Sequence, residues 1–173
     1  DGTNGVELWK SDGTDVGTVQ VKDINAGGDS TPMTLTNVGG TLFFTATNGT
    51  NGVELWKSDG TSGGTVQVKD ILAGGASASP QNFAVSGNTL FFSADDGNGR
   101  RLYKSTGTEV STVLVRPNPS LNSDASQYTQ VGSTVFFVAD NGINGFELWK
   151  TDGTPGGTSL VKDIAPGLTS SAP

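Results

Sequence analysis

The chain has 173 residues, 33% of them apolar, with 26 glycines and a net charge of −7; this suffices for one packed domain rich in tight turns. An acidic chain without a basic stripe excludes nucleic acid as a partner. No run nears the roughly 20 apolar residues that cross a bilayer, so no membrane insertion is expected. Cysteine and histidine are both absent, which removes disulfides, thiol chemistry, the commonest general base and the commonest transition-metal ligand.

The chain opens at Asp1, without a methionine and inside a repeat, and reads as a mature or partial piece of something longer. Residues 1–32 form a half unit with two strands, one in ELWKSDGT (Glu7–Thr14) and one in GTVQVKDI (Gly17–Ile24). Residues 33–80 form the clearest whole unit, with strands predicted at Leu35–Val38, Thr41–Ala46, Val53–Lys57 and Thr65–Ile71. Each is a β-branched or aromatic run bounded by Gly, Asn, Asp or Ser. The pairs Gly39–Gly40 and Gly87–Asn88 suit the two-residue primed turns of hairpins. Residues 81–127 repeat the unit with a degenerate phrase, RLYKSTGT (Arg101–Thr108), and residues 128–173 repeat it again with ELWKTDGT (Glu147–Thr154).

The acidic position of the phrase falls at 7, 54, 101 and 147, spacings of 47, 47 and 46 residues. In each unit LFF or VFF puts consecutive apolar side chains on both faces of one strand, so both faces should be covered. A period of 40 to 50 residues with four strands per unit is the signature of a β-propeller blade; the alternative is a β-solenoid. The chain begins and ends on the same two strands. It should therefore hold about three and a half blades of a larger ring or array.

With those residues assembled, the chain resembles the ELWxxDGT-repeat family, whose naming motif is matched in full at Glu7, Glu54 and Glu147. The likeness runs over essentially the whole chain. It implies a propeller-like repeat region of a secreted or surface-attached bacterial protein, located outside the cell and carrying no established catalytic activity. The turn Ser11-Asp12-Gly13-Thr14 with Thr18 is also similar to the structural Asp-box of sialidase-type propellers, with different spacing.

Several residues are candidates for a role. Asp12-Gly13, Asp59-Gly60 and Asp152-Gly153 read as a structural turn in which the aspartate accepts backbone amides; the functional alternative is a calcium ligand, for which one aspartate falls short of six to eight oxygens. Glu7, Glu54 and Glu147 are expected to pair with Lys22, Lys69 and Lys162 as register markers. Trp9, Trp56 and Trp149 read as packing between blades, with a sugar-stacking platform as the alternative. The turn of Asp140, Asn141, Asn144 and Glu147 is the candidate calcium site, beside the paired carboxylates of Asp95–Gly99; ordinary Asn-Gly turn chemistry is the competing reading. No other cofactor is expected.

In the degenerate copy Arg101 replaces Glu, Tyr103 replaces Trp, Thr106 replaces Asp, and Arg116-Pro117-Asn118 replace Lys-Asp-Ile. Loss of one structural network explains such joint changes, and so does drift. Arg100, Arg101, Lys104 and Arg116 form the one basic cluster and the candidate site for an anionic partner. The leading functional expectation is a non-enzymatic extracellular scaffold for adhesion or surface assembly, its partners being other repeats, a second chain, glycans or surface proteins. The alternatives are a carbohydrate-binding propeller using Tyr103 and Tyr128, and a glycosidase, which would need two facing carboxyls that no unit singles out.

Overall fold

A computed structural model describes residues 2–115 and 123–171, and among them there are strands and turns but no helix. The chain divides into two compact units, Asp1–Pro80 and Gln81–Pro173. In the first, β1 (Leu8–Lys10) and β2 (Val19–Lys22) make a two-stranded sheet. The strands β3 (Met33–Val38), β4 (Thr41–Thr47), β5 (Val53–Ser58) and β6 (Val66–Lys69) follow as a four-stranded antiparallel meander.

The second unit holds two such meanders. One comprises β7 (Gln81–Ser86), β8 (Thr89–Asp95), β9 (Arg100–Ser105) and β10 (Val113–Leu114). The other comprises β11 (Ser123–Val131), β12 (Thr134–Asp140), β13 (Phe146–Thr151) and β14 (Ser159–Lys162). The expected boundary between residues 127 and 128 thus falls inside β11, which starts upstream of its aromatic run by pairing Ser123 with Asp140 through two register shifts. The expected strand Thr65–Ile71 is shorter as β6, because Thr65 and Ile71 are both taken by side-chain hydrogen bonds described below.

Local chemistry explains the hairpins. Gly39, Gly87 and Gly132 open the two-residue loops of the first hairpins with φ of +57°, +57° and +61°, a region glycine enters without steric cost. The first strand of each meander also bulges, and Thr34, Asn82 and Gln127 sit in the bulges at φ of +56°, +57° and +54°. The pairing resumes in register beyond each bulge.

The cores lie between sheets. In the first unit Leu8, Val21 and Ile24 pack against Phe44, Ala46 and Trp56. In the second, Phe91, Leu102 and Val115 pack against Phe137, Ala139 and Trp149. Phe43 and Phe44 are both buried, as are Phe91 and Phe92, so the central strands β4 and β8 are covered on both faces. Each such ring contributes about 2 kcal/mol or more by leaving water.

The bulge yields a test. Threonine in the left-handed region is strained, whereas asparagine tolerates it, and Asn82 already holds the equivalent place. Thr34 is exposed, so Thr34→Asn is expected to stabilise the chain by about 1 kcal/mol, read as a shift in denaturant midpoint with unchanged slope.

Candidate functional site

The recurring phrase builds a closed hydrogen-bonded turn. Asp12 Oδ1 accepts from the amide of Thr14 (2.9 Å) and from its hydroxyl (2.7 Å), and the Thr14 hydroxyl oxygen accepts from the Gly17 amide (2.9 Å). Ser11 Oγ accepts from the Gly13 amide (3.0 Å), while Thr18 Oγ1 donates to the Thr14 carbonyl (2.6 Å). Because the Thr18 proton is used there, the Ser11 hydroxyl is the donor in the 2.7 Å contact between the two side chains. The same set recurs around Asp59 and around Asp152. The hydroxyl and amide of the following threonine hold all three aspartates below the usual carboxylate range.

This geometry dictates the glycine five residues on. A Cβ at Gly17, Gly64 or Gly157 would fall onto the carboxylate of Asp12, Asp59 or Asp152. In the degenerate copy the aspartate is Thr106 and the glycine is Ser111. Ser111 Oγ now accepts from the amide (3.1 Å) and hydroxyl (2.9 Å) of Thr108, the two bonds that the aspartate takes elsewhere. One oxygen replaces the other, arriving from the opposite side of the turn.

The glutamates do something the sequence reading missed. Ladder register sets Leu8 opposite Lys22, Leu55 opposite Lys69 and Leu148 opposite Lys162, which leaves each glutamate one residue out of line with its expected lysine. The carboxylates turn instead to the segment after the last strand of their sheet. Glu7 accepts from the amides of Ile24 (2.8 Å) and Ser30 (3.2 Å) and from the Ser30 hydroxyl (2.6 Å). Glu54 accepts from the amides of Ile71 (2.9 Å) and Ala78 (3.0 Å), and Glu147 from those of Ile164 and Ala165 (both 3.2 Å). All three glutamates are buried.

Their acidities differ for a visible reason. Burial drives the Glu54 carboxyl up to about 7, with the backbone bonds and nearby Asp70 as lesser influences. Burial also pushes Glu147 upward, but the Ser171 side chain and the amides of Ile164, Ala165 and Ser171 together hold it below its ordinary value. At the position of Ser30 and Ser171 the Glu54 copy has Ala78, which offers no hydroxyl. A buried carboxylate with fewer donors favours its proton.

Lysines tie sheet to sheet within each unit. Lys10 Nζ donates to the Gly60 carbonyl (2.8 Å), Lys22 Nζ to the Thr65 carbonyl (2.8 Å) and Lys104 Nζ to the Gly153 carbonyl (2.7 Å). Trp56 and Trp149 are buried in the cores with unpartnered indole nitrogens, whereas Trp9 is 43% exposed. Tyr103 and Tyr128, expected on loops, stand on β9 and β11, stacked against Phe92 and Phe137.

The basic cluster is engaged. Arg101 pairs with Asp96, whose second partner is the Tyr103 hydroxyl (2.6 Å). Burial acts to raise Asp96, and the bonds from Tyr103, Arg101 and Asn98 outweigh it. Arg100 reaches the Ser93 carbonyl (3.4 Å) and Lys104 is held as above; Arg116 lies outside the described residues. The changes in this copy therefore form two networks, Arg101 with Tyr103 through Asp96 and Thr106 with Ser111. They are not one.

The candidate calcium ligands do not converge. Asp140 Oδ1 accepts from the Gly142 amide (2.6 Å), and Asn141 Oδ1 from the amides of Ile143 (3.0 Å) and Asn144 (2.9 Å). Asn144 donates to Asp163 (2.7 Å), and Glu147 is turned to its linker. In Asp95–Gly99 the carboxylates cap their own turn in the same way. Among the described residues no three acidic side chains gather at one point.

No protein-family profile matches the chain, and no curated protein does. Among solved structures it is similar to the crystal structure of the computationally designed Ika8 protein, with a TM-score of 0.51 and 15% identity. The match covers 97% of this chain and 46% of that one. The likeness is one of fold.

Two outcomes follow from the turn and the clamp. Gly64→Ser alone is expected to cost about 2 kcal/mol, because the new Cβ meets Asp59. Adding Asp59→Thr, which recreates the third copy's pairing, should restore most of that loss in a denaturant melt. For Glu54 the folded value near 7 stands above an unfolded 4.5. Its contribution is thus complete below pH 4.5 and lost as pH rises through about 7, a fall of about 3 kcal/mol. Ala78→Ser should flatten that part of the stability profile, and an unchanged profile would refute the assignment.

Proposed function

We propose that this chain is a non-enzymatic, extracellular repeat scaffold of the ELWxxDGT type, built of propeller-type blades and serving adhesion or assembly at a cell surface. The observation that carries this is the use made of the recurring polar residues. Aspartate closes a turn, glutamate clamps a linker and lysine reaches a neighbouring backbone carbonyl. A catalytic carboxylate has to face a substrate with its oxygens available; here the recurring ones point into their own backbone. Three four-stranded antiparallel meanders of near-constant length support a blade-like unit. The family resemblance supports a location outside the cell.

Deleting the segment in a cell that carries it is expected to lower surface attachment several-fold while leaving every turnover intact. Retention of cells under flow, compared with and without the segment, gives the readout. A reaction that vanishes with the segment would overturn the proposal.

A further inference from the structure

One contact occurs twice inside the chain, once in each unit. In the first unit Trp56 is buried with Leu8, Val21 and Ile24, and the lysines Lys10 and Lys22 reach the carbonyls of Gly60 and Thr65. In the second, Trp149 is buried with Leu102 and Val115, and Lys104 reaches the carbonyl of Gly153. The polarity is the same both times. The sheet earlier in sequence supplies an apolar socket and the lysines, and the later sheet supplies the tryptophan and the carbonyls of its turn.

The first and last sheets each carry an unmatched half. Trp9 is 43% exposed, against 5% for Trp56 and 2% for Trp149. Beside it the hydroxyl pair Ser11 and Thr18 is exposed, while Ser58 and Thr65, and likewise Thr151 and Thr158, are buried. On the last sheet Val161 and Ile164 are 43% and 51% exposed, where Val21 and Ile24 are each 8%. Leu148 is half-buried where Leu8 and Leu102 are buried, and Lys150 and Lys162 stand exposed. One face has the tryptophan and turn, the other the socket and lysines.

We propose that a second copy of this chain occupies these faces. The first sheet of one copy docks on the last sheet of another. Trp9 enters the socket of Leu148, Val161 and Ile164; Lys150 donates to the Gly13 carbonyl and Lys162 to the Thr18 carbonyl. The inference rests on the scaffold reading and names its partner. Because the two faces differ, the contact is heterologous and propagates head to tail until it closes. It buries an indole and aliphatic side chains, the kind of anchor that dominates interface energies.

The test is complementation, read by light scattering on the purified chain across a concentration series. The unaltered chain is expected to gain mass in steps of one chain. Trp9→Ala destroys the first face and Ile164→Glu the last; both sites are exposed, so both variants should fold, as circular dichroism would check. Each variant alone should associate at least about tenfold more weakly, and their equimolar mixture should form a dimer and stop there. An unaltered chain that stays monomeric, oligomers that survive in both variants, or a mixture that stays monomeric would each overturn the contact. Surface attachment measured on the monomeric variants separates the two ideas: attachment retained leaves the scaffold reading standing whatever the masses show.

Discussion

A carboxylate without a counter-charge, placed where water cannot reach it, has to be surrounded by donors. In this chain the donors come from the backbone that leaves the sheet. Glu7 draws in the amides of Ile24 and Ser30, and Glu54 those of Ile71 and Ala78. Because the segment must bring two separated amides to one side chain, its path is fixed. The start of the next sheet is fixed with it. Breaking the clamp would leave a charge and two amides unsatisfied at once, which costs far more than the loss of an exposed ion pair.

The turn beside the clamp works by exclusion as well as attraction. The aspartate can accept its threonine only while the residue five positions on has no Cβ. Aspartate with glycine and threonine with serine are therefore two solutions to one spatial problem. The degenerate copy has adopted the second without opening the turn. Its other change follows the same logic: an arginine replaces the clamping acid, and Asp96 on the preceding turn binds both Arg101 and the tyrosine that stands in for tryptophan.

Much of the fold was legible because it rests on local chemistry. The period, the two-residue glycine turns and the double-sided LFF strands each name a structure by themselves. The Asp-Gly turn was legible for the same reason, as its partners lie within six residues. The glutamate clamp was not, because its donors are amides 17 to 24 residues away, and an amide leaves no mark in a sequence. Glu and Lys on adjacent strands suggested a pair, and a bulge that shifts the register in β1–β2, β5–β6 and β13–β14 sets them out of line. The bulges of the first strands were hidden too, since threonine and glutamine give no warning of a left-handed conformation.

The lysine contacts have a further consequence. Each ends on a main-chain oxygen, at Gly60, Thr65 or Gly153, and every residue type carries such an oxygen. The sheet that receives the lysine needs the right turn shape and no particular side chain at that point. Sheets joined in this way are interchangeable parts. One can be duplicated, lost or replaced, and its neighbours find the same acceptor in the same place. The divergent copy shows the tolerance directly, since its Lys104 engages the next turn as Lys10 does.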